Sequence, residues 1–418
     1  MVVATGIAYH GALSASFVLD DYHYILEHRE LGLTIIPRLF WRAYLSGNAA
    51  FYRPLATADF AIDRALFGVS AWAFHAASVA WHVGATLALW RLLARVFDDG
   101  RVAFVAALVF ALHPVHTEAV TGVVGRSEVM AATFVFVGAL LHVRERRVAA
   151  CAMYLLALWC KESGVVLPLV AVLLDAQGRP WRAAARRAWP FVIPLALYAA
   201  LRVHALAGQT LPAPAAGLSL PVAIDVLGRD LRLLVWPHPL VADYAIAPPS
   251  AARVAATLAL LAALLATAWR WAPLRLPLAW FALTIAPVAN VFVHIGVVMA
   301  ERLLYLPSVA VCLVAAALDR ALYARARPWL ANAAVATVAL TLGALTMLRN
   351  LDWQTPLALW QDTVEKQPLS ALAHGNLALS CLTVGDNACA REHLERAVQL
   401  DPTRADYRAA LDALDRTR

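Results

Sequence analysis

Apolar runs alternate with short arginine-bearing segments along most of this chain, a pattern that predicts helices crossing a membrane. The runs occupy 1–19, 71–90, 102–115, 126–143, 148–160, 163–175, 188–206, 251–269, 276–293, 302–319 and 328–348. Several approach the roughly 20 apolar residues that one crossing needs. Runs 148–160 and 163–175 are each only about 20 Å long as helices. We read them as a hairpin of short helices, with one helix through "WCKESG" as the alternative. The arginines fall in five groups: Arg91, Arg95 and Arg101; Arg144, Arg146 and Arg147; Arg179, Arg182, Arg186 and Arg187; Arg270 and Arg275; Arg320, Arg325 and Arg327. By the positive-inside rule all five are cytoplasmic, and about eleven crossings from a cytoplasmic start leave the C-terminal tail outside. The hairpin keeps "RERR" and "RPWRAAARR" on one face, whereas a single helix would separate them.

Outside the runs the pattern changes twice. Segment 20–70 holds "IPRLFWRAYLSG" and "ADFAIDRALFG", with aromatic and aliphatic residues at helical spacing among arginines, which suits short helices in the interface plane. Segment 207–250 opens with the Pro/Ala-rich "LPAPAAG". From 353 charge rises and long apolar runs stop. Leu377, Ala378, Gly385, Ala390, Leu394, Ala397 and Pro402 sit at the offsets of a 34-residue tetratricopeptide repeat, and Trp360 and Pro368 precede Leu394 and Pro402 by 34 residues. The expected fold is therefore all-α, with a polytopic membrane unit over 1–350 and a helical repeat unit over 351–418. Such repeats bind peptide or protein, and an unrelated helical hairpin is the plainer alternative.

Composition agrees: 62% of the residues are hydrophobic and 15% charged, with a mean hydropathy of +0.65, against about a quarter charged in soluble domains. The net charge of +7 is spread through short loops, which reads as topology and not as a nucleic-acid face. Five cysteines show no metal spacing. Cys381 and Cys389 are placed to pair if the tail lies in an oxidising compartment.

The rare ionisable residues at run ends gather on the face opposite the arginines, and one-sided clustering of costly charges favours a site. They are Asp20 and Asp21; "ALHPVHTEAVTGVVGRSE" (111–128) with His116, Glu118, Arg126 and Glu128; Lys161 and Glu162; and Glu301 and Arg302. Each has a plainer reading. The acidic pair suits a solvated helix end, Arg53 could snorkel, Arg126 and Glu128 could be a surface pair, and Glu301 and Arg302 a pair at a helix start. His113, His116 and Glu118 look loosely metal-like, but Pro114 breaks the helical geometry such a site needs. Together they supply carboxylates to take a proton from a hydroxyl and cations to stabilise a phosphate leaving group.

The segments "FVLDDYHYI", "YRPL", "FHAASVAWHV", "ALVFALHPVHTEAVTGVVGRSE", "KESGVVLPLVAVLLD", "LLVWPHPLVADY", "ERLLYLP" and "RNLDWQTPLALWQDTVEKQP" resemble, in order, the transmembrane and tetratricopeptide repeat-containing O-mannosyltransferases. The resemblance implies a GT-C glycosyltransferase that takes a sugar from a polyprenyl phosphate and transfers it to Ser/Thr of proteins on the lumenal face. On it, Asp20 is the base and Asp21 orients it or binds sugar. Arg126, Lys161 and Arg302 are cations for the lipid phosphate, with Arg53, His116, Glu118 and Glu162 lining the same face; no metal ligand is assigned, although a divalent metal is compatible. The chain carries few repeats where eukaryotic members carry many. Its arginine-rich, lysine-poor composition suggests a bacterial inner-membrane protein with a periplasmic active face, lumenal if eukaryotic. The alternatives are a non-catalytic membrane-anchored repeat protein that recruits partners, a transporter or flippase, and a different membrane glycan enzyme.

Overall fold

The computed structural model describes residues 1–28, 30–44, 51–209, 219–291 and 295–416. "LPAPAAG" and the end of "IPRLFWRAYLSG" fall outside them. Among the described residues the chain is all-helical, with no strand. In order the helices are α1 (Val2–Ala8), α2 (Ile36–Leu39), α3 (Pro54–Phe67), α4 (Ala71–Phe97), α5 (Gly100–Leu112), α6 (Thr117–Thr121), α7 (Arg126–Val143), α8 (Arg147–Cys160), α9 (Leu167–Asp175) and α10 (Trp181–Ala188). There follow α11 (Val192–Ala205), α12 (Leu220–Val235), α13 (Ala251–Arg270), α14 (Arg275–Ile285), α15 (Val309–Arg325), α16 (Pro328–Asp352), α17 (Pro356–Lys366), α18 (Ala371–Thr383), α19 (Asn387–Leu400) and α20 (Ala405–Arg416).

Among the described residues four segments are long and apolar enough to cross a membrane: 123–143, 181–205, 251–270 and 328–352. A fifth qualifies if 100–112 and 114–121, bent by 53° at Pro114, count as one. The expected run 1–19 is not one helix. α1 lasts seven residues, a 3-10 turn spans His10–Ser14, and the chain then extends. Gln354 is the cause: its amide donates to Gly11 O at 2.7 Å, and its carbonyl accepts Ser16 N at 2.9 Å. These bonds replace the ladder a straight helix would make. Runs 276–293 and 302–319 are likewise interrupted, since α14 stops at Ile285 and a 3-10 turn spans Glu301–Leu304 before α15.

Ion pairs show how the helices run between two poles. Lys161, just after α8, meets Glu128 at the start of α7 (3.0 Å), while Asp175, ending α9, meets His142 at the end of α7 (2.9 Å). α8 and α9 are therefore a hairpin, and both arginine groups beside it share a pole with Arg101–Asp319 (2.7 Å). α5 starts at that pole, where the Asp99 carboxylate accepts the Arg101 and Val102 amides at 3.0 and 3.1 Å.

At the opposite pole α16 leads into α17–α20, which pack as successive helices around Trp360, Leu377, Ala378, Cys381, Ala390 and Leu394. Each of α17, α18 and α19 has a capping side chain, from Thr355, Ser370 and Asp386, which supplies an acceptor to an otherwise unpaired amide. Gly385, at φ +81°, makes the turn between α18 and α19. Cys381 and Cys389 are disulfide-bonded across it.

Candidate active site

The pole that carries α17–α20 contains a cavity of about 300 Å³. Seven of the nine candidate residues line it: Asp20, Asp21, Arg53, Glu118, Lys161, Glu162 and Arg302. They come from five segments, and each is held by a local break in helical structure. Arg53 caps α3, where Pro54 fixes the first turn. Glu118 lies on the short α6 after the Pro114 bend. Lys161 is extended between α8 and a 3-10 turn that begins at Glu162. Arg302 lies in the 3-10 turn at Glu301–Leu304.

The acidic pair is divided by burial. Leu19, at φ +52°, takes a left-handed conformation uncommon for a residue with a side chain. Asp20 then stands exposed on the cavity wall, with no hydrogen-bond partner among the described residues. Asp21 is 1% exposed. It accepts the backbone amides of Val124 (2.9 Å), Val18 (3.1 Å) and Val123 (3.3 Å). Burial pushes its carboxyl up, the three amides pull it back in part, Asp20 adds a smaller upward push, and the result stands at about 7.

Each cation is paired with a carboxylate. Glu162 binds Arg53 at 2.9 Å and Arg202 at 2.7 Å. Burial raises its pKa, but the two guanidinium groups prevail and hold it at about 2. Lys161 pairs with Glu128, and burial outweighs that partner to push its ammonium down. Arg302 binds Glu118 through its side chain, and its backbone amide donates to the same carboxylate at 2.9 Å. Three cations, each with donors left for a further anion, thus line one cavity with a carboxylate that has no hydrogen-bond partner among the described residues. This arrangement suits proton removal by Asp20 and stabilisation of a departing oxyanion.

The structure takes two candidates out of this set. Arg126 is fully buried away from the cavity. Its guanidinium binds Asp59 (2.6 Å), Asp63 (2.5 Å), Ser78 Oγ (2.9 Å) and Phe74 O (2.5 Å), so it fastens α3 and α4 to α7. That also answers the proposed Arg126–Glu128 surface pair, since Glu128 faces Lys161 instead. His116 is buried among Phe110, His82 and Tyr305 and hydrogen-bonds Ser308 Oγ at 2.8 Å. His113 is bonded to Leu234 O at 3.0 Å. Among the described residues no group of three or more His, Cys, Asp or Glu could hold a metal.

Other contributors escaped the sequence reading. Arg202 completes the Glu162 pair, Tyr24 and Trp353 line the cavity, and Arg349 joins Glu301 (3.4 Å) to Asp352 (3.1 Å) and Asp362 (2.9 Å). Glu301 and Arg302 are therefore not a pair: they serve different networks on either side of one turn. The signal for Arg202 was its position at the cavity end of an apolar helix.

No protein-family profile matches the chain, and no solved structure matches it. Curated proteins do. A Caenorhabditis elegans protein O-mannosyl-transferase is 28% identical over 431 residues, covering 95% of this chain and 61% of that protein. Mus musculus protein O-mannosyl-transferase TMTC3 is 26% identical over 90% of this chain and 48% of its own length. Mus musculus TMTC2 is 33% identical over 41% of this chain and 23% of its own. The chain's curated homologues are thus protein O-mannosyl-transferases of the TMTC family. The chain spans less than two thirds of the length of these relatives.

Proposed function

We propose that this chain is an integral-membrane glycosyltransferase that moves mannose or another hexose from a polyprenyl-phosphate carrier to a hydroxyl, most simply a protein Ser/Thr. The observation that carries this reading is the convergence of seven candidate residues from five segments on one cavity; the similarity to protein O-mannosyl-transferases supplies the chemical class. The mechanism is a single displacement. Asp20 takes the acceptor hydroxyl proton as the oxygen attacks the anomeric carbon. The bond from that carbon to the phosphate oxygen breaks, and its electrons stay on the lipid phosphate, stabilised by Arg53, Lys161 and Arg302. Asp21, anchored by three amides, is a positioning residue.

In this reading the membrane unit makes about eleven traverses, its cavity opens to the periplasm or lumen, and α17–α20 form tetratricopeptide repeats that present the protein acceptor. The Cys381–Cys389 disulfide supports the non-cytoplasmic placement, since such bonds persist in oxidising compartments. A recruiting protein without catalysis would have no use for an unpartnered acid beside three cations.

The test is Asp20→Asn in protein reconstituted with a polyprenyl-phosphate hexose and a Ser/Thr peptide. It keeps the shape and removes the proton acceptor, so transfer should fall at least about a hundredfold with insertion and donor binding unchanged. Normal transfer by this variant overturns the assignment of the base and leaves the recruiting reading ahead.

A further inference from the structure

The pole opposite the cavity has no part in that reaction, yet it holds a dense surplus of positive charge. The five arginine groups meet there, fifteen guanidinium groups against five carboxylates: Asp98, Asp99, Glu145, Asp175 and Asp319. Arg101 binds Asp319 at 2.7 Å, and Arg187 binds Asp175 at 2.6 Å and Glu145 at 2.8 Å. Arg320 reaches Asp99 only at 3.7 Å, and Arg325 has no hydrogen-bond or carboxylate partner among the described residues. Trp181, Trp269 and Trp329 stand exposed at the same pole, as aromatic side chains do at a membrane surface.

A groove of about 440 Å³ opens at this pole, walled by Phe97, Val102, Leu276 and Leu313 and by Arg320 and Arg325. Leu313 and Arg325 lie on α15, about 18 Å apart along its axis. The groove is therefore cationic at the pole and apolar toward the middle of the bundle. A free inorganic anion would gain nothing from the apolar wall, and a neutral lipid nothing from the arginines. An amphiphile with one anionic phosphodiester and an acyl chain matches both. We infer that this groove binds an anionic phospholipid, with its phosphate against Arg320 and Arg325 and its first methylenes along Leu276 and Leu313. Basic pockets between membrane helices recognise such headgroups. The inference rests on the membrane-spanning reading but not on the transferase chemistry.

Native mass spectrometry of the full chain, released from nanodiscs of phosphatidylglycerol or of phosphatidylcholine with the same acyl chains, tests it. The wild type should keep one phosphatidylglycerol after delipidation and no phosphatidylcholine. Arg320→Ala with Arg325→Ala should lower that retention about tenfold or more. Ala317→Trp, which fills the groove without changing charge, should lower it equally with the thermal midpoint unchanged. Arg146→Ala with Arg147→Ala, at the same pole but off the groove, should keep it. Equal loss in that control would show diffuse attraction and overturn the site, as would equal retention of the two lipids. Displacement by millimolar inorganic phosphate alone would show a simple anion site and overturn the lipid assignment. Sugar transfer is not read out, so a failed transferase assay leaves this result standing, and the reverse holds.

Discussion

Asp20 and Asp21 are neighbours in sequence but have different surroundings, because the amides that bury Asp21 come from Val18, Val123 and Val124. The sequence marks the pair as a site for its place after an apolar run, and only the resemblance ranks its members, since the Val123 and Val124 amides that bury Asp21 lie 102 and 103 positions away. It points to Arg126 with equal force, and there Asp59 and Asp63 fold over the guanidinium. Asp21→Asn turns an amide N–H₂ toward backbone donors, so it should cost about 1–3 kcal/mol, whereas Asp20→Asn, at an exposed position, should stay within about 0.5 kcal/mol. Thermal midpoints in detergent separate them. The pH dependence follows from the raised pKa of Asp21. Its folded value of about 7 lies above the ordinary carboxyl value of 3.8, so the folded state binds the extra proton between the two. The stability it contributes is full below pH 3.8 and lost as pH rises through about 7. The wild-type midpoint should thus fall from pH 5 to pH 8 by more than that of Asp21→Asn. Equal slopes would mean that Asp21 stays ionised throughout.

The cavity is made at helix breaks, and some breaks are easier to read than others. The α8–α9 hairpin is legible because two arginine groups flank it and must share a face. The interruption of run 1–19 is not, because Gln354 imposes it from the far end of the chain. Gly164 lets the 3-10 turn after Lys161 lie directly on α8: a Cβ there would meet the Ala157 carbonyl carbon at 2.8 Å and its oxygen at 2.9 Å. This is backbone, which cannot move aside cheaply. Gly164→Ala should cost about 1–3 kcal/mol and shift Lys161 and Glu162, lowering donor affinity as well as the thermal midpoint. Gly84→Ala is the contrast, since α4 leaves open space at Gly84 and alanine is favoured over glycine in a helix by up to about 1 kcal/mol. If both variants behave alike, the close approach at Gly164 does not set the site.

At the scale of the molecule, the two poles are what one-sided clustering of ionisable residues predicts, and only their contents needed coordinates. A reporter active only in the cytoplasm, fused to the C-terminus, should be silent, and the Cys381–Cys389 pair should resist alkylation until reduced. An active reporter would put α17–α20 and the cavity on the wrong face. The structure also changes where the C-terminal unit can be cut. A boundary near 351 suggests that removing 353–418 spares donor chemistry. Trp353, however, lines the cavity, and together with Leu359 it packs on Val18 beside the acidic pair. Asp362 and Lys366 hold Arg349 and the Leu240 carbonyl at 2.9 and 3.3 Å, and Ser370 binds Asp243 at 2.6 Å. All these contacts end by residue 370. Removing 371–418 should therefore leave donor binding and slow donor hydrolysis intact while peptide transfer is lost. Removing 353–418 should abolish all three, because it takes a cavity wall and strips Asp362 from the buried Arg349 guanidinium, and breaking a buried pair typically costs about 3–5 kcal/mol. Release of polyprenyl phosphate with and without peptide measures both. If the shorter deletion still transfers sugar to peptide at the full rate, α18–α20 do not present the acceptor, and the membrane unit must select it alone.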